Sequence, residues 1–176
     1  ICDLPGLYNV FSKEPEARIS IEALLNAKPE TGIIIVLDAL QLERQLVLAT
    51  QLLDLKLPSI VIINKVELAA AQGITLNTES ISQLLGVKVL HYSRQNQHFA
   101  TQCNEAVSTI KASASQFNVK WASQDYTSSL KQHFQNPDLL FETQDKRNRI
   151  QTARYITSKS IIGSVKSKRS KLPDHI

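Results

Sequence analysis

Hydrophobic runs alternate with segments of helical periodicity through most of the sequence. The runs are rich in Ile, Val and Leu, as in parallel strands covered on both faces, and they span 32–40, 57–67 and 87–93. The amphipathic segments that follow them span 42–55, 78–86 and 102–112. Strand and helix therefore alternate three times, which predicts an α/β fold built on a parallel sheet.

Individual residues in the predicted helices support these limits. The helix at 42–55 has one apolar stripe, which consists of Leu42, Leu46, Ala49 and Leu53. The helix at 78–86 begins at Thr78, which we expect to cap it, and ends at Gly86.

A Ser-rich stretch of weak periodicity interrupts the pattern near residues 112–123. We therefore divide the chain into an α/β domain, 1–115, and a second part, 123–176. Helical periodicity without a strand follows the stretch, at 125–134, 137–141 and 145–162. The second part is accordingly predicted to be a small all-helical domain.

Composition and charge restrict the classes of partner. Hydrophobic runs fall short of the roughly 18 residues that span a bilayer, and Cys2 and Cys103 are too isolated to indicate a disulfide framework or a metal site. From Lys146 onward the chain has nine basic residues and one acidic residue, against eleven and fifteen before it. A basic end on an acidic body predicts an anionic partner, either nucleic acid or a membrane surface.

Distinctive polar residues follow the predicted strands, where ligands bind in open α/β sheets. Asp38 stands near the end of the first run, and Asn64-Lys65-Val66-Glu67 stands at the end of the second. The Asn amide both donates and accepts, the Lys stem can lie along a purine, and the carboxylate can accept from two adjacent N–H donors. Guanine has such a donor pair on one edge and adenine does not. The stretch predicts a guanine-reading loop, although alone it also fits an ordinary polar loop.

Two further motifs complete the pattern at strand ends. In Asp3-Leu4-Pro5-Gly6, Asp3 would hold a Mg²⁺-bound water and the Gly6 amide would meet a terminal phosphate. Ser93 and Arg94 stand at the end of the third hydrophobic run. Each motif is common by itself. Their order at successive strand ends is that of a guanine-nucleotide site.

Longer stretches resemble one family, ferrous iron transport protein B (FeoB). The similar segments are DLPGLYNVFSKEPEARI, LDALQLERQLVLATQLLDLKLPSIVIINKVE, AAAQGITLNTESISQLLGVKVLHYS, TARYI and SKLPDHI. The resemblance covers nearly the whole chain and is to the family's G domain and the helical domain after it.

The resemblance implies a P-loop-GTPase-like (small G protein) domain that binds GTP and GDP with Mg²⁺, followed by a helical domain that stabilises GDP binding. It also implies a place on the cytoplasmic face of the bacterial inner membrane, where the domain would couple GTP to Fe²⁺ uptake. The implied partners are the protein's own transmembrane domain, outside these residues, and the anionic membrane surface. The residues expected to meet that surface are Lys166, Lys168, Arg169 and Lys171. A homo-oligomer stays open, and nucleic acid is not expected.

Three departures from the family pattern limit these expectations. Glu67 stands where Asp is usual, so its carboxylate lies one methylene further out, and Arg94 stands where Ser-Ala is typical. The sequence also contains no Gly-x-x-x-x-Gly-Lys-Ser/Thr phosphate loop. We therefore expect the chain to begin inside the domain, and we expect GTP hydrolysis from the full-length protein but not from these 176 residues.

Two other interpretations stay open. A small RNA- or ribosome-associated GTPase would use the basic end for RNA, although that end lacks a Gly-x-x-Gly clamp and interleaved aromatic residues. A non-catalytic G-like interaction module would retain the fold without the nucleotide chemistry.

Overall fold

Three parallel strands form the sheet in this computed structural model, which describes residues 2–28, 30–110 and 125–163. The strands are β1 (Ile33–Asp38), β2 (Ser59–Asn64) and β3 (Lys88–His91), in the order β1-β2-β3. The register pairs Asp38 with Asn64 and Ile63 with His91. The carboxyl ends of all three strands therefore lie at one edge, as the sequence predicts.

The described part of the chain also contains seven α-helices and one short 3₁₀ helix. They are α1 (Pro15–Leu25), the 3₁₀ helix (Ala39–Gln41), α2 (Leu42–Leu53), α3 (Val66–Ala71), α4 (Thr78–Leu85), α5 (Phe99–Ile110), α6 (Tyr126–Gln135) and α7 (Leu139–Ser160). Helices α1 and α3 were not predicted. No helix among these residues combines the length and apolarity needed to cross a bilayer.

Strand β1 differs from the prediction that it is covered on both faces. Ile35 and Leu37 are buried on one face, but Ile34 is 43% and Val36 is 61% exposed on the other. β1 is an edge strand of the described sheet, and α5 covers the second face only near β2, where Ile60 packs on α5. Strand β2 is buried from Ser59 through Ile63, as expected.

Two helix limits also differ from the prediction. Asn77 rather than Thr78 caps α4, because its side chain accepts a hydrogen bond from the Ser80 amide at 3.0 Å. The two short helices expected at 137–141 and 145–162 are one helix of 22 residues, α7. Asp138 caps this helix, and no Gly or Pro interrupts it from there to Ser160.

The C-terminal helices share the hydrophobic core of the α/β part. Leu130 of α6 and Ala153 and Ile156 of α7 are buried in the same cluster as Leu46 and Leu53 of α2. The helical segment therefore packs on the sheet domain through α2. The expected domain boundary, near 112–123, lies outside the described residues.

Candidate functional site

The strand ends bring together the second and third of the predicted motifs. Glu67 lies in the first turn of α3, directly after β2, and accepts a hydrogen bond from the backbone N–H of Arg94 at 3.1 Å. A hydrogen bond from the Ser93 side chain is the main cause that lowers the pKa of Glu67, with help from backbone N–H groups. The carboxylate is therefore ionised at neutral pH and faces the loop after β3.

Lys65 precedes α3 in an unusual backbone conformation. Its φ is 61° and its ψ is 29°, in the left-handed region that few non-glycine residues adopt. The side-chain oxygen of Asn64 accepts from the Lys65 amide at 2.7 Å. Val66 begins α3 and packs against the core, so the loop is tied to the sheet at both ends.

Asp38, at the end of β1, binds the side chain of Lys65. The Lys65 Nζ to Asp38 Oδ2 distance is 2.6 Å. Burial alone would raise the pKa of Asp38, but the hydrogen bonds from Lys65 and the Leu40 amide, with the charge of Lys65, bring that pKa below its usual value. The sequence identifies Asp38 as a polar strand-end residue but gives it no partner, because the pairing depends on the register of β1 and β2.

The Asp3-Leu4-Pro5-Gly6 motif lies apart from this group. It has no regular secondary structure, and α1 holds it through Ser20, whose hydroxyl donates to the Pro5 carbonyl at 2.7 Å. Asp3 and Gly6 are exposed, and a Cβ at Gly6 would meet no atom within 4 Å. Within the described residues, no hydrogen bond or ion pair joins this motif to the loops after β2 and β3.

Other predicted residues fall outside what the structure describes. These are the four basic residues expected near a membrane, Lys166, Lys168, Arg169 and Lys171.

A buried polar cluster between α2 and α7 was not predicted. Arg149, which is 1% exposed, donates to Asp145 and Asp54 at 2.8 Å each and to the Thr50 carbonyl at 2.6 Å. Gln51 donates to Asp145 at 2.8 Å and accepts from the Val10 amide at 3.2 Å. The spacing of Asp145 and Arg149, four residues apart on a helix, was the one signal in the sequence. The cluster connects α7 to the segment after Gly6.

The groups at the strand ends suit a planar ring with mixed polar edges. An ionised carboxylate accepts from adjacent N–H donors, an amide donates and accepts, and a lysine stem offers an apolar surface. No group of three or more His, Cys, Asp or Glu side chains that could hold a metal exists in the described part of the chain.

Comparison with known proteins gives the family. A sequence profile described as ferrous iron transport protein B matches residues 1–107. The chain belongs to the ferrous iron transport protein B family. The match ends within α5, so it covers the whole sheet and the three motif positions.

Named relatives agree with this assignment. The chain is 29% identical over 126 residues to the Fe(2+) transporter FeoB of Legionella pneumophila (strain Lens), covering 65% of this chain and 17% of that protein. The chain thus spans about a sixth of the length of that FeoB relative.

Solved FeoB structures have the same fold. The cytosolic domain of L. pneumophila FeoB aligns with a TM-score of 0.73 at 21% identity, over 90% of this chain and 76% of that chain. An S. thermophilus NFeoB mutant bound to GDP aligns with a TM-score of 0.62 at 25% identity, over 89% and 70%. The predicted fold, a parallel sheet of the G-domain type with a helical region after it, is confirmed.

Proposed function

We propose that this chain is part of the GTP-binding cytoplasmic domain of a bacterial ferrous iron transporter, which couples GTP binding and hydrolysis to Fe²⁺ uptake. The observation that carries the proposal is the joined group at the ends of β2 and β3, in which Glu67 meets Ser93 and Arg94. Membership of the FeoB family and the GDP-bound S. thermophilus relative support it.

The base would be recognised at this group. Glu67 would accept from the two adjacent N–H donors of guanine, and the backbone N–H of Arg94 would donate to the neighbouring exocyclic carbonyl oxygen. In the structure these two groups bind each other at 3.1 Å, so guanine would replace this internal hydrogen bond by three. Lys65 would lie along the ring, and Asn64 would hold the loop through its bond to the Lys65 amide.

The phosphate end would involve the Asp3–Gly6 motif. Mg²⁺ keeps several waters and takes few protein ligands when it binds nucleotide phosphates. A single exposed carboxylate at Asp3 fits the role of holding a Mg²⁺-bound water, and the open space around Gly6 leaves room for a phosphate next to its amide.

The basic residues near the C-terminus would meet the membrane. Lys166, Lys168, Arg169 and Lys171 would bind anionic lipid at the cytoplasmic face of the inner membrane, beside the protein's own transmembrane part. The family assignment favours lipid over nucleic acid as the anionic partner.

The test is a titration of nucleotides into the protein produced from its complete gene. We expect GDP and GTP to bind at least about a hundredfold more tightly than ADP and ATP, since a site built for hydrogen bonds rejects ligands that leave its groups unpaired. Glu67→Gln should weaken GDP binding roughly tenfold to hundredfold. ADP binding should not change.

Glu79→Gln is the matched control, because Glu79 is an exposed carboxylate in the first turn of α4. It should leave both affinities unchanged. Equal affinity for guanine and adenine nucleotides would contradict the proposal and would favour an interaction module without nucleotide chemistry.

Phosphate release gives a second measurement. The 176 residues lack the loop whose backbone amides, lysine and hydroxyl hold the β- and γ-phosphates and Mg²⁺. We expect these residues to release phosphate from GTP only at the background rate. The protein produced from the complete gene should hydrolyse GTP faster than that rate. Equal rates for both would contradict this expectation.

A further inference from the structure

Two neighbouring strands end in residues that are joined through a lysine. Asp38 and Asn64 are register partners at the carboxyl ends of β1 and β2. The next residue, Lys65, turns back across this edge and places its Nζ 2.6 Å from Asp38 Oδ2. The Asp38 side chain is 14% exposed and that of Lys65 is 48% exposed. The ion pair therefore lies across the carboxyl ends of the two strands, and the lysine stem is accessible to solvent.

The backbone of Lys65 needs this support. A non-glycine residue in the left-handed conformation is strained, and such strain persists only where surrounding contacts hold it. Two contacts do so here: Asn64 binds the Lys65 amide, and Asp38 binds the ammonium group. The left-handed turn directs the side chain across the strand ends rather than along α3.

Asp38 is itself fixed from two other directions. Its Oδ1 accepts from the Leu40 amide at 2.9 Å, which caps the 3₁₀ helix. Its backbone N–H donates to the side chain of Gln45 on α2. One carboxylate oxygen of Asp38 therefore binds the Leu40 amide and the other binds Lys65. Asp38 is thus held in place and in turn holds the flexible side chain of Lys65.

We propose that Asp38 is a positioning residue of the nucleotide site, which acts by holding Lys65 across the strand ends so that its stem forms one wall of the base pocket. This role rests on the proposed function, since it assumes that a guanine base binds beside Lys65. Asp38 does not touch the nucleotide. Its effect is to reduce the number of conformations that Lys65 must lose when the base binds.

Asp38→Asn isolates this role. Asparagine caps helices about as well as aspartate, so the bond to the Leu40 amide survives while the charge that binds Lys65 is lost. In the protein produced from its complete gene, we expect GDP affinity to fall about tenfold for Asp38→Asn and by at least as much for Lys65→Ala. Because Asp38 acts through Lys65, the double variant should bind GDP no more weakly than Lys65→Ala alone.

Asp125→Asn is the control, since it makes the same change at the cap of α6, away from the strand ends. It should leave GDP affinity unchanged. If Asp38→Asn fails to fold, Asp38→Ser replaces it, because serine also caps and carries no charge.

The outcomes separate the two proposals. If the losses of GDP affinity add in the double variant, or if Asp38→Asn causes no loss, the positioning role is overturned. The proposed function still stands in that case, provided that the unsubstituted protein binds guanine nucleotides. Failure of the unsubstituted protein to bind guanine nucleotides would overturn both.

Discussion

Two groups of charged residues in this fold differ in how far they are buried. Around Arg149, between α2 and α7, the charges are buried: Arg149 is 1% and Asp54 is 3% exposed. Around Lys65 and Glu67, at the strand ends, the charges are held at the surface by residues of neighbouring loops. In the first group, all three guanidinium nitrogens of Arg149 donate to buried protein oxygens, whereas the contacts of the second group are open to solvent.

The difference lies in the cost of removing a partner. A buried charge without its partner is strongly destabilising, because water cannot replace the lost contact. Burial by itself would lower the pKa of Arg149, but Tyr126, Asp145 and Asp54 reverse the effect and raise it. The arginine is therefore always charged and always in need of its partners. At the strand ends, water or a ligand can take the partner's place, so exchange costs little.

The largest effect is expected from Arg149→Ala. It leaves Asp145 buried without a cation and leaves Asp54 only the more distant Lys56, whose Nζ lies 3.6 Å away. It also removes the stacking of the guanidinium on Tyr126, whose ring centre lies 4.6 Å away. We expect the free energy of unfolding to fall by about 3–5 kcal/mol, measured by chemical denaturation.

Arg154→Ala is the matched control on the same helix. Arg154 pairs with Glu43 at 3.2 Å, but the side chains are 69% and 51% exposed. Its loss should cost about 1 kcal/mol or less. Similar losses of unfolding free energy for Arg149→Ala and Arg154→Ala would show that burial does not make the contacts of Arg149 more stabilising than those of Arg154.

A smaller difference should appear in hydrogen exchange. Amides of α7 around Ala153 and Ile156 lie in the shared core, and we expect them to exchange at rates near those of global unfolding. Amides at 94–98, in the exposed loop after β3, should exchange much faster. Fast exchange throughout α7 would contradict its packing on α2.

The smallest effect concerns pH. The pKa of Glu67 is lowered in the folded protein, first by Ser93. Its contribution to stability is therefore present above the unfolded value near 4.5 and is lost as the pH falls through the lower folded pKa. Glu67→Gln should make acid unfolding slightly less steep below about pH 4.5, measured by denaturation between pH 6 and 3. An unchanged slope would indicate that Ser93 and Arg94 do not hold the carboxylate.

Much of the fold could be predicted because the hydrophobic runs are long and continuous. Strand β2 and the apolar stripe of α2 follow directly from them, and Gly86 ends α4 in the left-handed conformation that a terminal glycine favours. The exposed face of β1 could not be predicted, since a run such as Ile33–Asp38 has the same sequence pattern whether one face or two are covered.

The residues of the candidate site could be chosen from the sequence by type, but their pairing could not be predicted. The motifs at Asn64–Glu67 and Ser93–Arg94 were recognised, because each follows a strand. The left-handed turn at Lys65, its contact with Asp38 and the bond from Ser20 to Pro5 all depend on register or on residues far apart in the chain. The polar cluster around Arg149 was missed for the same reason, since two of the partners of Arg149, Asp54 and Thr50, are 95 and 99 positions away.

The open side of β1 has a consequence for how the chain behaves in solution. Within the described residues, β1 has a hydrogen-bonded neighbour only on its β2 side, and Ile34 and Val36 are exposed on its uncovered face. An unpaired edge with apolar side chains readily accepts another strand. We expect the 176-residue chain to self-associate as its concentration rises and to precipitate sooner in sulfate. A further strand paired with β1, from any source, should reduce this self-association.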